Sequence, residues 1–379
     1  MSAAGPPQGA NSSPSGGSEA APAASVGAHQ PSAAVPSSAA DVKPATERVL
    51  TVRDLRAYYR TKYFGVSREV RAVDGVSLHV DRNEIYGLAG ESSCGKTTLV
   101  KTIVRAIRPP LGVVDGSVTF NFAGRDRDIY ALTQNELESI RWRHLSYILQ
   151  GSMNVLNPVR RVRQSFVDFA YRHIQQPMPE FLAQIESHLD RVRLAPTVLD
   201  AYPHELSGGM RQRVTIALAT VCRPDFIIAD EPTTALDVVV QKDVLTMLRE
   251  IQREIRSSMI LVTHDIGVHA NVTDRLGIMY AGRLVEEGRT VDVIRNPRHP
   301  YTSHLVTSLP RIGDVTQKRG LEGTPPNLAA PPTGCRFHPR CPLAIAACCV
   351  EAPPLIDVVP GHRVACWVTA PLKEPVIAQ

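Results

Sequence analysis

The chain has 379 residues, 43% of them hydrophobic, which is enough to bury a full core, and one large domain with an appendage is expected. Lys and Arg number 42 against 37 Asp and Glu, a net charge of +5 with no basic stripe or interleaved aromatics, so no nucleic acid is expected as a partner. No run approaches the ~18–20 apolar residues of a membrane-spanning helix and the N-terminus shows no charged-then-apolar leader, so the expectation is a cytosolic chain.

Residues 1–46 are Ala, Pro, Ser and Gly with little charge and no aromatic, a composition that cannot offset chain entropy, and they are predicted to form a disordered tail. Leu50–Leu55 and Val76–Val80 read as strands, the second ending at the turn Asp81-Arg82-Asn83. Between them, Tyr58, Tyr59, Tyr63 and Phe64 form an aromatic cluster suited either to stacking on a flat ring such as adenine or to filling core.

Next comes Gly90-Glu91-Ser92-Ser93-Cys94-Gly95-Lys96-Thr97-Thr98, set between apolar Ile85–Ala89 and helix-like Leu99–Val104. Strand, loop and helix in this order aim successive backbone N–H groups and the positive helix end at an anion. Gly90 and Gly95 let the backbone curl around a nucleotide phosphate, Lys96 supplies charge to its outer oxygens, and Thr97 offers a hydroxyl to Mg²⁺. Cys94 lies near the helix N-terminus, where a thiol pKa falls, so a reactive thiolate is expected, with a shielded, inert thiol as the alternative.

Val118–Phe120 and Leu145–Gln150 read as further strands, the latter delivering Gln150 as a ligand-facing side chain. From about 151 to 223 the period turns helical, with Phe181, Ile185, Leu189 and Val192 on one face, predicting an inserted helical subdomain. Within it, Ser207-Gly208-Gly209 caps a helix start and offers a second anion-accepting end. Phe226–Ala229 is a continuously apolar run that carries Asp230 and Glu231 at its end, where open α/β sheets bind ligands. Asp230 suits Mg²⁺ and Glu231 suits the polarisation of an attacking water. Met259–Thr263 delivers His264 to the same edge, and Leu276–Tyr280 with Gly282–Gly288 completes the sheet.

With these residues the chain resembles the ATP-binding subunits of ABC transporters over about residues 47–310. Gly90–Thr97 is similar to the Walker A loop, Gln150 to the Q-loop residue, Leu206–Gln212 to the signature helix start, and Phe226–Asp230 with Glu231 to Walker B and its catalytic glutamate. Ala235-Leu236-Asp237 resembles the D-loop and His264 the switch histidine. The resemblance implies an α/β P-loop NTPase fold with an inserted helical subdomain, ATP and Mg²⁺ as ligands, Thr97, Gln150 and Asp230 around the metal, and Tyr59 as the adenine-stacking residue, with Tyr58 and Tyr63 still open. It further implies a head-to-tail pair of such subunits and two transmembrane permease subunits at the cytoplasmic face of a membrane. A coiled-coil DNA-maintenance ATPase does not fit, because Lys96 and Ser207 lie too close in sequence for a long coiled coil between them. A non-hydrolysing regulatory subunit is disfavoured by the presence of both Glu231 and His264. Two departures from the family pattern are Ser93-Cys94 for Gly-Ser and Gly151-Ser152 for Asp-Pro. If position 93 needs a positive φ, Ser there costs on the order of 1 kcal/mol relative to Gly.

Arg298-His299-Pro300-Tyr301-Thr302, Ser308-Leu309-Pro310 and Cys335–Pro342 are similar to the C-terminal segment of dipeptide, oligopeptide and nickel transporter ATPases, which implies peptide import, with nickel or another small solute as the alternative cargo, and an extracytoplasmic solute-binding protein. Residues 311–379 are read as that small, Cys-rich C-terminal extension. Of its thiols, Cys335, Cys341, Cys348 and Cys366 suit tetrahedral zinc or a [4Fe-4S] cluster, with Cys349 spare. The gaps exceed the about two to four residues usual between paired zinc ligands, and the resemblance favours the cluster, expected to staple a segment too poor in apolar residues for a core of its own.

Overall fold

The structure, a computed structural model, describes residues 47–308 and 321–370, apart from 152–154 and 235. The tail 1–46, Ala235 of the D-loop and the stretch around Leu309-Pro310 therefore lie outside the described residues.

In chain order the strands and helices are β1 (Arg48–Tyr63), β2 (Val66–Asp81), β3 (Ile85–Ala89), α1 (Lys96–Ile103), β4 (Leu111–Phe122), β5 (Arg125–Asp128), α2 (Gln134–Ile140) and β6 (Leu145–Ile148). Then follow α3 (Val162–Phe169), α4 (Met178–Arg191), α5 (Gly208–Thr220), β7 (Phe226–Asp230), α6 (Val238–Ile255), β8 (Ser258–Val262), α7 (Ile266–Val272), β9 (Arg275–Tyr280) and β10 (Arg283–Arg289). Last come α8 (Thr290–Arg295), α9 (Pro300–Thr307), α10 (Ala346–Val350), β11 (Ile356–Val359) and β12 (His362–Val364).

Among the described residues the strands form two sheets, an antiparallel one ordered β2-β1-β4-β5 and a larger one ordered β11-β12-β10-β9-β3-β8-β7-β6. In the larger sheet β6, β7, β8, β3 and β9 run parallel. Its central strands are apolar on both faces because both faces are covered. In β7, Phe226 and Ile228 pack toward the antiparallel sheet while Ile227 and Ala229 pack toward the helices, and β8 divides Ile260 and Val262 from Met259 and Leu261 in the same way. Burial on both sides fixes the register, and the register fixes which residue emerges at each strand end.

The stretch containing Tyr58, Tyr59 and Tyr63 is not a separate aromatic segment between short strands. β1 runs straight through it and pairs with β2 as one long hairpin that turns at Phe64-Gly65. The helical layer carries the predicted face: Phe181, Ile185 and Leu189 of α4 and the adjoining Val192 are fully buried, with Phe166 of α3 and Val214 of α5 in the same cluster. Residues 321–370 pack against the main sheet and extend its edge rather than standing apart. β12 pairs with β10, and Phe337 is buried against Tyr280 and Tyr301 at ring-centroid distances of 5.2 and 5.5 Å.

Candidate functional site

β3 ends in the loop Gly90–Gly95, and the backbone explains its glycines. Gly90 has φ +148° and Gly95 φ +107°, and a Cβ at either would come within 2.1 Å of a backbone carbonyl, that of Met279 or Ala72. Ser93 has φ +64°; a non-glycine residue there bears a cost on the order of 1 kcal/mol. Lys96 is buried, and its Nζ donates to the carbonyls of Gly90 at 2.7 Å and Glu91 at 3.0 Å, curling the loop around its own ammonium. Ser92, Ser93, Gly95, Lys96, Thr97 and Thr98 line a cavity of about 780 Å³.

Two residues of the loop depart from expectation. Glu91 turns away from the cavity: its carboxylate is held by Arg340 at 2.9 and 3.1 Å and its N–H donates to the Tyr301 hydroxyl at 2.8 Å. Cys94 is 5% exposed, and burial pushes its thiol up, with the nearby Lys96 ammonium only partly opposing the shift. Desolvation outweighs the helix end, so the expectation of a reactive thiolate is corrected to a shielded thiol. Maleimide should inactivate the wild type and Cys94→Ser at the same rate; marked resistance of Cys94→Ser would restore the reactive-thiol reading.

Parallel strands bring the remaining chemistry to the same edge. Asp230, at the end of β7, is fully buried, and its two carboxylate oxygens accept from Thr97 Oγ1 at 3.2 Å and Tyr147 OH at 3.0 Å. Burial raises its pKa, and those two hydrogen bonds hold the rise in check. Glu231 follows in the left-handed region at φ +48°, a conformation costing on the order of 1 kcal/mol that turns its carboxylate into the cavity. Glu231 Oε2 accepts from Gln150 Nε2 at 3.1 Å and Thr234 Oγ1 at 3.0 Å, and His264 Nδ1 stands 3.6 Å from Oε1. Gln150, Glu231 and His264, from three strand ends, thus meet beside the loop.

Tyr59 lines the cavity, and its hydroxyl lies 3.3 Å from Thr98 Oγ1. Tyr58 points the other way, buried with its hydroxyl on Asp74 at 2.5 Å, and is removed as an adenine-stacking alternative. The side chain of Tyr63 is not among those described. Sequence reasoning missed Pro325, Pro326 and Leu328, which line the same cavity beside the hairpin, where Arg71 N–H of β2 donates to the Leu328 carbonyl at 2.9 Å. No short-range pattern marks them, since their role arises from a contact far along the chain.

Ser207, Gly208 and Gly209 do not line this cavity. Ser207 caps α5 by accepting from Met210 N–H, and Asp237 caps α6 by accepting from the N–H groups of Val239 and Val240 at 3.1 and 3.0 Å. Of the thiols, Cys348 and Cys366 are buried and Cys335 and Cys341 half-buried. Cys335 is lifted to about 11, chiefly by burial and to a lesser extent by the neighbouring Cys348, Cys366 and Cys341, against a backbone hydrogen bond from Phe337. Cys335 N–H donates to the Cys348 carbonyl at 2.8 Å, while Cys349 is exposed. Among the described residues no group of three or more His, Cys, Asp or Glu is placed to hold a metal ion. No helix among them is long and apolar enough to cross a membrane.

The ABC transporter family profile matches residues 73–234 and the oligopeptide/dipeptide transporter C-terminal region matches residues 285–348. The chain is 39% identical over 326 residues to the dipeptide transport ATP-binding protein of Bacillus subtilis, covering 85% of this chain and 95% of that one. It is 39% identical over 329 residues to the oligopeptide transport ATP-binding protein of Salmonella typhimurium, covering 86% and 95%. The dipeptide transport ATP-binding protein of Caldanaerobacter subterraneus is 36% identical over 321 residues, covering 84% and 96%. In fold the chain is similar to a dimeric ATP-binding cassette in a post-hydrolysis state with ADP and phosphate, at TM-score 0.55 and 23% identity, covering 64% of this chain and 98% of that one. The chain therefore belongs to the ATP-binding subunits of ABC transporters, in the branch that carries the oligopeptide/dipeptide transporter C-terminal region.

Proposed function

We propose that this chain is the ATP-hydrolysing subunit that energises import of di- or oligopeptides. It works as one half of a pair of such subunits, peripheral to the cytoplasmic face of a membrane, against two permease subunits and with an extracytoplasmic solute-binding protein. The observation that carries the reading is the meeting of Lys96, Thr97, Gln150 and Glu231 at one cavity, with Asp230 on the Thr97 hydroxyl and His264 beside the Glu231 carboxylate, in a chain closely similar to peptide-transport ATP-binding proteins.

On ATP binding, Lys96 exchanges its two carbonyl partners for phosphate oxygens. Bound Mg²⁺ neutralises charge on the outer phosphates; the Thr97 hydroxyl and Asp230 carboxylate, already paired, would hold it, with Gln150 at the rim. Glu231 polarises the attacking water and accepts its proton, while Gln150 and His264 orient the carboxylate. Tyr59 stacks on the base. The Ser207–Gly209 helix start and Asp237, off this cavity, face the nucleotide of the paired subunit.

The test is ATP-dependent uptake of labelled peptides into vesicles holding the chain with its permeases. Peptide uptake that requires Glu231 supports the reading; ATP-driven nickel uptake without peptide uptake replaces the cargo, and no hydrolysis overturns the enzyme.

For the C-terminal thiols we propose a [4Fe-4S] cluster rather than zinc, because the gaps between Cys335, Cys341, Cys348 and Cys366 are wider than the about two to four residues usual between paired zinc ligands. Cys335, Cys341, Cys348 and Cys366 would hold it as a structural staple. Protein purified without oxygen should contain iron and acid-labile sulfide that Cys341→Ser loses. Stoichiometric zinc, or no metal in protein that still hydrolyses ATP, would overturn the cluster.

A further inference from the structure

The loop residue that leaves the phosphate cavity is the one most firmly tied down from outside. Arg340 places both terminal guanidinium nitrogens on the Glu91 carboxylate, at 2.9 and 3.1 Å, in the two-pronged arrangement that combines charge with fixed direction. Its side chain is only 6% exposed and that of Glu91 is 25% exposed, so water screens the pair weakly. Arg340 is held in turn: Nη1 also donates to the Tyr280 hydroxyl at 3.2 Å and Nε to the Glu322 carbonyl at 3.2 Å. Glu91 N–H is spent on the Tyr301 hydroxyl. The front of the loop is therefore anchored through both backbone and side chain to residues beyond the sheet.

The same residue touches the catalytic lysine. Glu91's carbonyl accepts from Lys96 Nζ at 3.0 Å, so wherever Glu91 is held, one partner of the ammonium is held too. We propose that Arg340 is a positioning residue for the nucleotide site: by clamping Glu91 it fixes the phosphate loop and Lys96 in the shape that receives ATP. The inference rests on the ATPase reading above and assigns to the C-terminal segment a direct part in nucleotide affinity. The clamp touches neither nucleotide nor water, so its loss raises KM and spares the chemical step. Arg340→Lys keeps charge but loses the two-pronged contact, and falls between wild type and Arg340→Met.

The experiment is a double-mutant cycle on the full chain, with Arg340→Met, Glu91→Gln and both together, read by displacement of a fluorescent ATP analogue by ATP. Each single variant should weaken ATP binding by about tenfold, as expected for a lost charge-assisted pair. The double variant should be no weaker than either single one, because both remove the same contact. In steady state the loss should fall on KM, with kcat close to wild type. ATP affinity unchanged in all three variants, or losses that multiply in the double variant, would overturn the clamp. Should Arg340→Met fold poorly, Glu91→Gln alone must still speed amide hydrogen exchange across Glu91–Gly95, and unchanged exchange would overturn it equally. A wild-type chain that binds no ATP would sink the underlying ATPase reading, an outcome distinct from a failed clamp.

Discussion

Glu231→Gln will stop steady-state ATP hydrolysis, lowering turnover by about a hundredfold or more, while ATP still binds. The magnitude is that of a positioned general base, worth roughly 10²–10⁴ in rate. The amide keeps the length and shape of the side chain and can still accept from Gln150 and Thr234, which donate to Glu231 Oε2 at 3.1 and 3.0 Å. What it loses is the negative charge that draws a proton from water. His264, 3.6 Å from the carboxylate, loses its acceptor charge as well and cannot replace it. Because no phosphate-facing group of the loop changes, displacement of a fluorescent ATP analogue should give a wild-type affinity. With ATP bound and uncleaved, the paired subunits should persist as a dimer in gel filtration. Near-normal turnover by Glu231→Gln in the assembled transporter would remove Glu231 from the catalytic role.

The chemistry of this edge was legible in sequence because each parallel strand is short, apolar on both faces and followed at once by its working residue. Ile227 and Ile228 leave no choice of face for Asp230, and Ile260 and Leu261 do the same for His264. Once both faces are buried, the strand end alone decides where a polar side chain emerges. The hairpin was harder. Its outer face alternates in charged pairs such as Arg60 with Glu69 at 2.9 Å, which erase the apolar alternation that marks a strand. Tyr58 and Tyr59 are neighbours in one strand and so point to opposite faces. Sequence could name the cluster but only the register sorts Tyr59 into the cavity and Tyr58 onto Asp74.

The C-terminal segment was hard to place for a different reason. Its composition is too poor in large apolar residues for a core of its own, and a metal staple was the local remedy. The anchors the described residues show are long-range. Arg336 reaches the buried Asp74, Arg340 reaches Glu91 across 249 residues of sequence, and β12 extends the main sheet. Short-range periodicity carries no signal for such pairs. Cys94 failed similarly: the helix end beside it is visible in sequence, but the closed packing around its thiol is not.

Lys96→Ala will act on the opposite half of the reaction, weakening ATP binding by roughly 10- to 100-fold, the equivalent of about 1.5–3 kcal/mol for a hydrogen bond to a charged group. The side chain is buried, 6% exposed, so no water-borne cation readily takes its place. Its removal also strips the carbonyls of Gly90 and Glu91 of the donor they share, at 2.7 and 3.0 Å, and the loop loses the ammonium about which it is curled. The N–H groups of the loop and the α1 helix end remain, which is why binding is weakened rather than abolished. Arg in its place keeps the charge, but its larger planar head does not fit between two carbonyls shaped for a compact ammonium, so Lys96→Arg should recover only part of the affinity. The two variants separate cleanly by measurement: Glu231→Gln keeps the dissociation constant and loses the rate, whereas Lys96→Ala loses the dissociation constant first. Wild-type ATP affinity in Lys96→Ala would show that backbone donors alone hold the phosphates and would leave the lysine's charge without a role in binding this nucleotide.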